Sequence, residues 1–294
     1  MAMTTVMVLV ESTVLGRQAM EAGFRVARPD GGHVVGVYPV PDAERLTPES
    51  MYFARASVVA MDHDVQVLLD SAERGGGAGV EGARLAFEDA ANRAGADFLN
   101  HPPNPGQLTA AFKSMTTGGA EAVAEEGRVF DLVVVPQPRK DPDNRLRKIL
   151  RAVLFNAGRP VLVVPAQPAP TVAKRPLIAW NGSALSARAA AISRNFFGGA
   201  DEVGILTVHA KAHSGPTAHD LAEYIAWHNI AAAVIEVEQG SRKLGEVILA
   251  EAAAFEADML AMGAYSHGPF RESLTGGVTN YILSHCELPI LMTC

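Results

Sequence analysis

Unbroken apolar runs, rather than alternating ones, set the rhythm of this chain. Thr5–Val10, His33–Val40, Arg128–Pro138 and Gly158–Pro168 in the first half each hold a cluster of Val, Leu or Ile. Leu177–Trp180, Glu202–His209, Phe255–Ser266 and Glu287–Cys294 do the same in the second half. Strands that are apolar on both faces belong to parallel sheets covered by helices on both sides. Alanine-rich segments with helical spacing follow the first run of each half, so the pattern predicts strands alternating with helices.

The pattern then repeats itself. RVFDLVVVPQP (Arg128–Pro138) leads through a helical stretch to GRPVLVVPAQP (Gly158–Pro168), and FEADMLAMGAYS (Phe255–Ser266) leads through another to ELPILMTC (Glu287–Cys294). Asp131 corresponds to Asp258 and Pro160 to Pro289, the prolines falling at strand starts, where a missing N–H costs the ladder little. An internal repeat decides architecture before any local motif does. PAQPAPTVAKRP (Pro165–Pro176), rich in proline and alanine, reads as a linker. It separates a first unit at 1–167 from a second at 174–294. The first unit carries a helical insertion over about 47–95, read as two helices around the turn RGGGAG (Arg74–Gly79).

Composition narrows the function classes. With 294 residues, 48% hydrophobic and 19% charged, the chain can bury a sizeable core. A formal charge of −7 and a pI near 5.7 argue against a nucleic-acid partner. The basic cluster Arg145, Arg147, Lys148 and Arg151 reads as a solvated helix face ahead of a phosphate contact. Two cysteines, Cys286 and Cys294, make no disulfide framework. MAMTTVMVLVEST lacks a positive leader, and no apolar run reaches the roughly 18 residues of a membrane span. A soluble, cytoplasmic protein with no membrane partner is expected.

Four marks carry a resemblance. They are Asn181-Gly182-Ser183 after a strand, the turn VEQG (Val237–Gly240), the strand ADMLAMGAYS, and the glycine loop within MGAYSHGPFRESLTGGVTNYIL (Met262–Leu283). On these the second unit resembles the universal stress protein family, and the whole chain looks like its tandem two-domain form. The resemblance implies an α/β fold of two flavodoxin-like, adenine-nucleotide-alpha-hydrolase-like domains, each a five-stranded parallel sheet with helices on both faces. It also implies contact between the halves through their last strands, VLVVP and PILMT, and self-association as a homodimer.

The family's nucleotide loop, G-x2-G-x9-G-[ST], lays its first glycine on Gly263 and its third on Gly276. Ser266 takes the second glycine's place, Gly277 the Ser/Thr place, and Asn181 the place of an acidic residue. The implied site is Asn181, Gly182, Ser183, Val208, Val237, Gly263, Ser266, His267, Gly268, Gly276, Gly277, Val278 and Thr279, with ATP or AMP as the ligand. Backbone N–H groups at a glycine-rich helix start hold phosphate without side-chain help; the other reading is a loop whose glycines only turn the chain. In the first unit Glu11 stands in the acidic place, but PQPRKDPDNRLRK (Pro136–Lys148) has no glycine, and that site reads as lost.

Other constellations carry less. His209, His213 and His219 in VHAKAHSGPTAH read as loop residues, with no cysteine or paired carboxylate near them in sequence and Gly215-Pro216 breaking any helix. They read as a solvated loop rather than a metal site, as does His63 as a surface residue. Cys286 reads as a small hydrophobe on the apolar side of a helix. No nucleophile elbow, Walker loop or H-E-x-x-H occurs, so no catalytic or metal-ligating residue is expected, and ATP hydrolysis would be weak at most. Two functions remain: a stress-response protein sensing an adenine nucleotide, or an interaction module that binds none and works on an unknown protein partner.

Overall fold

The computed structural model describes residues 5–11, 14–27, 31–40, 78–99, 101, 106–115, 119–138, 144–169, 171–209, 215–265 and 277–294. The first unit supplies β1 (Thr5–Leu9), α1 (Val14–Ala27), β2 (His33–Pro39), α2 (Ala78–Ala94), β3 (Asp97–Phe98), β4 (Thr109–Met115), α3 (Gly119–Gly127), β5 (Leu132–Pro136), α4 (Arg145–Asn156) and β6 (Val161–Val164). The second supplies β7 (Pro176–Ala179), α5 (Ala184–Ser193), β8 (Val203–His209), α6 (Ala218–Ala226), β9 (Ala232–Glu238), α7 (Leu244–Ala254), β10 (Met259–Gly263), α8 (Gly277–His285) and β11 (Ile290–Thr293). Of the inserted region, α2 lies within the described residues and 47–77 outside them.

All these strands form a single sheet in the order β3-β4-β2-β1-β5-β6-β11-β10-β7-β8-β9. The first half therefore runs 3-2-1-4-5, apart from the two-residue β3, which adds a sixth strand at its edge. The second half runs 5-4-1-2-3, the same order in mirror sequence across the seam. Strands within each half pair in parallel, as their unbroken apolar composition requires.

Strand periodicity divides the core into two layers. Val6 and Val8 of β1 point to one, with Met20 and Phe24 of α1 and Phe87 of α2. Met7 and Leu9 point to the other, with Val123 of α3 and Ile149, Leu150 and Val153 of α4. The helix α4 shows why it forms: Leu146, Ile149, Leu150, Val153 and Leu154 repeat at three- and four-residue spacing and are all buried. Its basic residues take the opposite side, with one exception described below.

The halves meet where the sequence placed the contact, at the last strands. β6 and β11 pair antiparallel, with Val163 opposite Ile290, Leu162 opposite Leu291 and Val161 opposite Met292. All six side chains are fully buried, and each contributes about 1.5–3 kcal/mol on leaving water. Both strands thereby have neighbours on each side, so a second copy of the chain finds no free edge there; further self-association must use another surface.

The repeated aspartates close the strand starts. Asp131 Oδ2 accepts from the Thr5 backbone N–H at 2.9 Å and from its hydroxyl at 3.1 Å. Asp258 accepts from the backbone N–H groups of Lys174 and Arg175, both at 2.8 Å. Pro160 and Pro289 likewise both offer their carbonyls to the neighbouring strand. Replacing Asp258 by Ala removes the acceptor of two N–H donors ahead of β7 and should lower stability by about 1–3 kcal/mol, read as a fall in urea midpoint; Asp258→Asn should restore it only in part, since its one amide oxygen can accept from one of the two.

Candidate functional site

In the second half the chain leaves β7 toward β8 and later returns to the other side of β7 as β10. An open parallel sheet binds ligands in the crevice outside the carboxyl ends of two such strands. Two helices, α5 and α8, begin at this edge.

Each part of the crevice has a local cause. Gly182 adopts φ 68°, which a side chain would strain, and so turns the chain off β7. Asn181 accepts a hydrogen bond from the Ser183 backbone N–H through Oδ1 at 3.2 Å, which leaves its amide hydrogens to face solvent. Ser183 caps α5, its hydroxyl accepting from the Ser186 N–H at 3.2 Å. Gly263 ends β10 directly under this first turn: a Cβ there would stand 2.8 Å from the Leu185 carbonyl carbon and 2.9 Å from the Ser186 nitrogen. Only glycine lets the strand end and the helix start approach so closely.

At α8, Gly277 is the first helical residue and exposed, with open space where a Cβ would stand. Thr279 is buried, and its hydroxyl accepts from the Tyr265 N–H at 3.4 Å, tying the helix's first turn back to the end of β10. Tyr265 holds φ 58° and packs its ring 5.4 Å from that of Phe155 in the first unit. Burial pushes its phenol up to about 12, so it brings no charge to the loop it leads into.

The structure thus gathers Asn181, Gly182, Ser183, Gly263, Gly277, Val278 and Thr279 at one edge. Val208 and Val237 face each other in register at the carboxyl ends of β8 and β9, half-buried and further along the same edge. Ser266, His267, Gly268 and Gly276 lie outside the described residues.

One side chain of the first unit reaches across the carboxyl ends of its own strands. Arg145, the first residue of α4, donates from Nη1 to Glu11 Oε1 at 2.9 Å and from Nη2 to the carbonyl of Pro39. Its guanidinium also lies 6.0 Å from the Tyr38 ring. The solvated face expected for the four basic residues therefore loses Arg145, which reaches across the ends of β1 and β2. A cation at a helix start is unfavourable by the macrodipole; the ion pair with the largely buried Glu11 offsets it. One hint of this stands in the sequence, a basic residue opening a helix where an acidic one suits the dipole better.

Three further expectations need correction. His209 ends β8 and His219 lies in α6, so neither is a loop residue. The helix starts so soon after Gly215-Pro216 because Thr217 and Asp220 form a capping box. Cys286 sits one residue beyond α8, buried, its N–H donating to the Ile282 carbonyl at 2.8 Å. No helix among the described residues is long and apolar enough to cross a membrane.

Three comparisons bear on kinship. The model of the universal stress protein family matches residues 196–293, from the end of α5 through β11. The match begins after the Asn181-Gly182-Ser183 turn. No curated protein matches the chain. Among solved structures, a universal stress protein from Archaeoglobus fulgidus DSM 4304 is 14% identical over 98% of this chain and 97% of its own, with a TM-score of 0.62. A candidate universal stress protein from Pseudomonas aeruginosa UCBPP-PA14 is 14% identical over 99% of this chain and 93% of its own, TM-score 0.54. A functionally unknown protein from Pseudomonas aeruginosa PAO1 is 15% identical over 99% of this chain and 92% of its own, TM-score 0.52. Residues 196–293 of the second unit thus match the universal stress protein model, and the whole chain shares the fold of such a protein end to end.

Proposed function

We propose that the chain is a cytoplasmic stress-response protein that holds one adenine nucleotide, ATP or AMP, in its second unit as a regulatory ligand. The observation that carries this reading is the close packing at Gly263, which brings the first turn of α5 onto the end of β10. Two helix starts then share one edge of the sheet, and helix-start N–H groups and dipoles favour an anion there. Arg145 closes the matching crevice of the first unit, which supports one nucleotide per chain rather than two. The ligand is bound rather than turned over.

The site departs from the family's pattern at Asn181, Ser266 and Gly277, and the first and last of these can be reversed together. Open space at Gly277 admits a serine hydroxyl, and Asn181→Asp restores a carboxylate. Each recovered hydrogen bond is worth about 0.5–1.5 kcal/mol, so the double variant should bind ATP roughly tenfold or more tightly by calorimetry. If neither the natural protein nor this variant binds, the nucleotide reading is wrong.

A second reading, an interaction module, draws support from one observation. Trp227 is 81% exposed at the end of α6, beside Tyr224, whose ring has Arg194 at 5.3 Å. Exposed Trp, Tyr and Arg are the residues that anchor protein interfaces. Trp227→Ala should leave ATP binding unchanged and, on this reading, abolish capture of a protein partner.

A further inference from the structure

A second stripe of α4 lines a cavity. Lys148, Arg151, Ala152 and Phe155 recur at three- and four-residue spacing and so share one side of the helix. With Asn156 they form one wall of a cavity of about 650 Å³, and Ala120 and Glu121, in the first turn of α3, form the other. Ala152 is buried and Ala120 half-buried. Both side chains end at Cβ, which leaves space between the two helices there. Phe155 bounds the cavity on the side of the second unit, its ring 5.4 Å from that of Tyr265.

We propose that this cavity binds the phosphate ester of a small hydroxylated molecule, of the sugar-phosphate class. Its volume falls within the roughly 300–1,000 Å³ typical of small-molecule sites. It far exceeds a lone phosphate, so the occupant carries an organic part. Lys148 and Arg151 supply the charge, the guanidinium matching two phosphate oxygens at once and the ammonium acting as a point charge. Lys148 has no ion-pair or hydrogen-bond partner among the described residues. The first turn of α3 adds its N–H groups and dipole on the other wall. The remaining lining suits the organic part. Asn156 Nδ2 donates to Glu121 Oε2 at 2.8 Å, and this pair still has an amide hydrogen and a carboxylate oxygen to offer to hydroxyls. Ala152 and Phe155 give the carbon skeleton an apolar surface.

The balance of charge favours an anion there, although the chain as a whole carries −7. Two cations and one carboxylate line the cavity. Glu121 opposes a bound phosphate, and the amide of Asn156 offsets part of its charge. The other acids of α3 are engaged elsewhere, Glu125 with Arg128 at 3.8 Å and Glu126 with Lys113 at 2.7 Å. Arg147 turns away from the lining and donates to the Pro138 carbonyl at 3.4 Å. Lys148 and Arg151 are like charges one turn apart, a mildly unfavourable arrangement that a phosphate between them makes favourable. All the lining residues belong to α3 and α4 of the first unit, so the site is separate from the crevice of the second and does not depend on a nucleotide binding there.

The test is calorimetric titration of the full chain with glucose 6-phosphate, and separately with inorganic phosphate and with glucose. One glucose 6-phosphate per chain is expected, held more tightly than inorganic phosphate, with no heat from glucose. Lys148→Ala and Arg151→Ala should keep the fold and each weaken the ester by about tenfold, as the loss of one charge-assisted hydrogen bond does. Ala120→Leu, which fills the cavity from the α3 side, should abolish binding. The ester should also raise the melting temperature of the natural protein by mass action, and raise that of Lys148→Ala less. Excess ATP should not displace it. No heat with glucose 6-phosphate, equal affinity for inorganic phosphate, or binding that Lys148→Ala and Arg151→Ala leave unchanged overturns the assignment. Displacement by ATP overturns the cavity as a site separate from the nucleotide crevice.

Discussion

Gly263→Val is expected to destabilise the protein by about 3 kcal/mol, the upper end of the cost of overpacking a close-packed site. The reason lies in what the new atoms meet. Around Gly263 the nearest atoms are backbone: the Leu185 carbonyl carbon and the Ser186 nitrogen, at 2.8 and 2.9 Å from a built Cβ. Backbone of a capped helix cannot step aside, since Ser183 caps the turn and the Thr293 hydroxyl donates to the Leu185 carbonyl at 3.2 Å. Gly204 gives the contrast. Its added Cβ would come within 2.7 Å of Leu177 Cδ1 and 2.9 Å of Phe255 Cζ, the far ends of side chains. Gly204→Ala should therefore cost less than Gly263→Ala in a urea melt, although both approaches are equally short. Gly263→Ala should also weaken ATP binding, because it moves the start of α5; equal costs at the two glycines would remove the case for a close-packed crevice.

A larger effect is expected from Gln137→Glu, a change of one atom in the seam between the units. Gln137 follows β5 in the first unit and is buried. Its amide donates to the carbonyls of Leu283 at 2.8 Å and Cys286 at 2.9 Å, at the end of α8 in the second unit. The introduced carboxylate would face two carbonyl acceptors in a buried position between the units. Breaking a buried polar pairing to leave an uncompensated charge costs about 3–5 kcal/mol, against the 5–15 kcal/mol that hold a typical domain folded. Burial raises the folded-state pKa of that carboxyl above its unfolded value. The penalty is therefore absent well below the ordinary carboxyl range, where both states are protonated, and grows as pH rises through that range. The melting temperature of Gln137→Glu should approach that of the natural protein near pH 4 and fall well below it at pH 7. Gln137→Met behaves differently: it removes the bonds to the Leu283 and Cys286 carbonyls without introducing a charge, so its cost should be about 1–3 kcal/mol and should not vary with pH.

Much of the fold was legible because its causes are local. Apolar runs such as LVVVP and ILMT announce strands buried on both faces, and their recurrence announced the two halves. The last strands were named as the contact because an apolar edge must be covered. What escaped prediction depends on side chains reaching across the sheet. Nothing near Arg145 in sequence points to Glu11 or Pro39, more than a hundred residues earlier. Likewise nothing near Gln137 in sequence points to Leu283 and Cys286, about 150 residues later. In the candidate site, the glycine spacing showed where a loop stands, but not that Gly263 serves the contact between α5 and β10.

The central claim is that the second unit binds an adenine nucleotide while the first is closed by Arg145. Calorimetric titration of the purified chain with ATP, read for stoichiometry and paired with mass spectrometry of molecules released on denaturation, tests it most directly. One adenine nucleotide per chain, bound more weakly by Gly263→Ala and unaffected by Trp227→Ala, is the predicted result. An empty protein that gives no heat with ATP, or one that binds two nucleotides per chain, would contradict it.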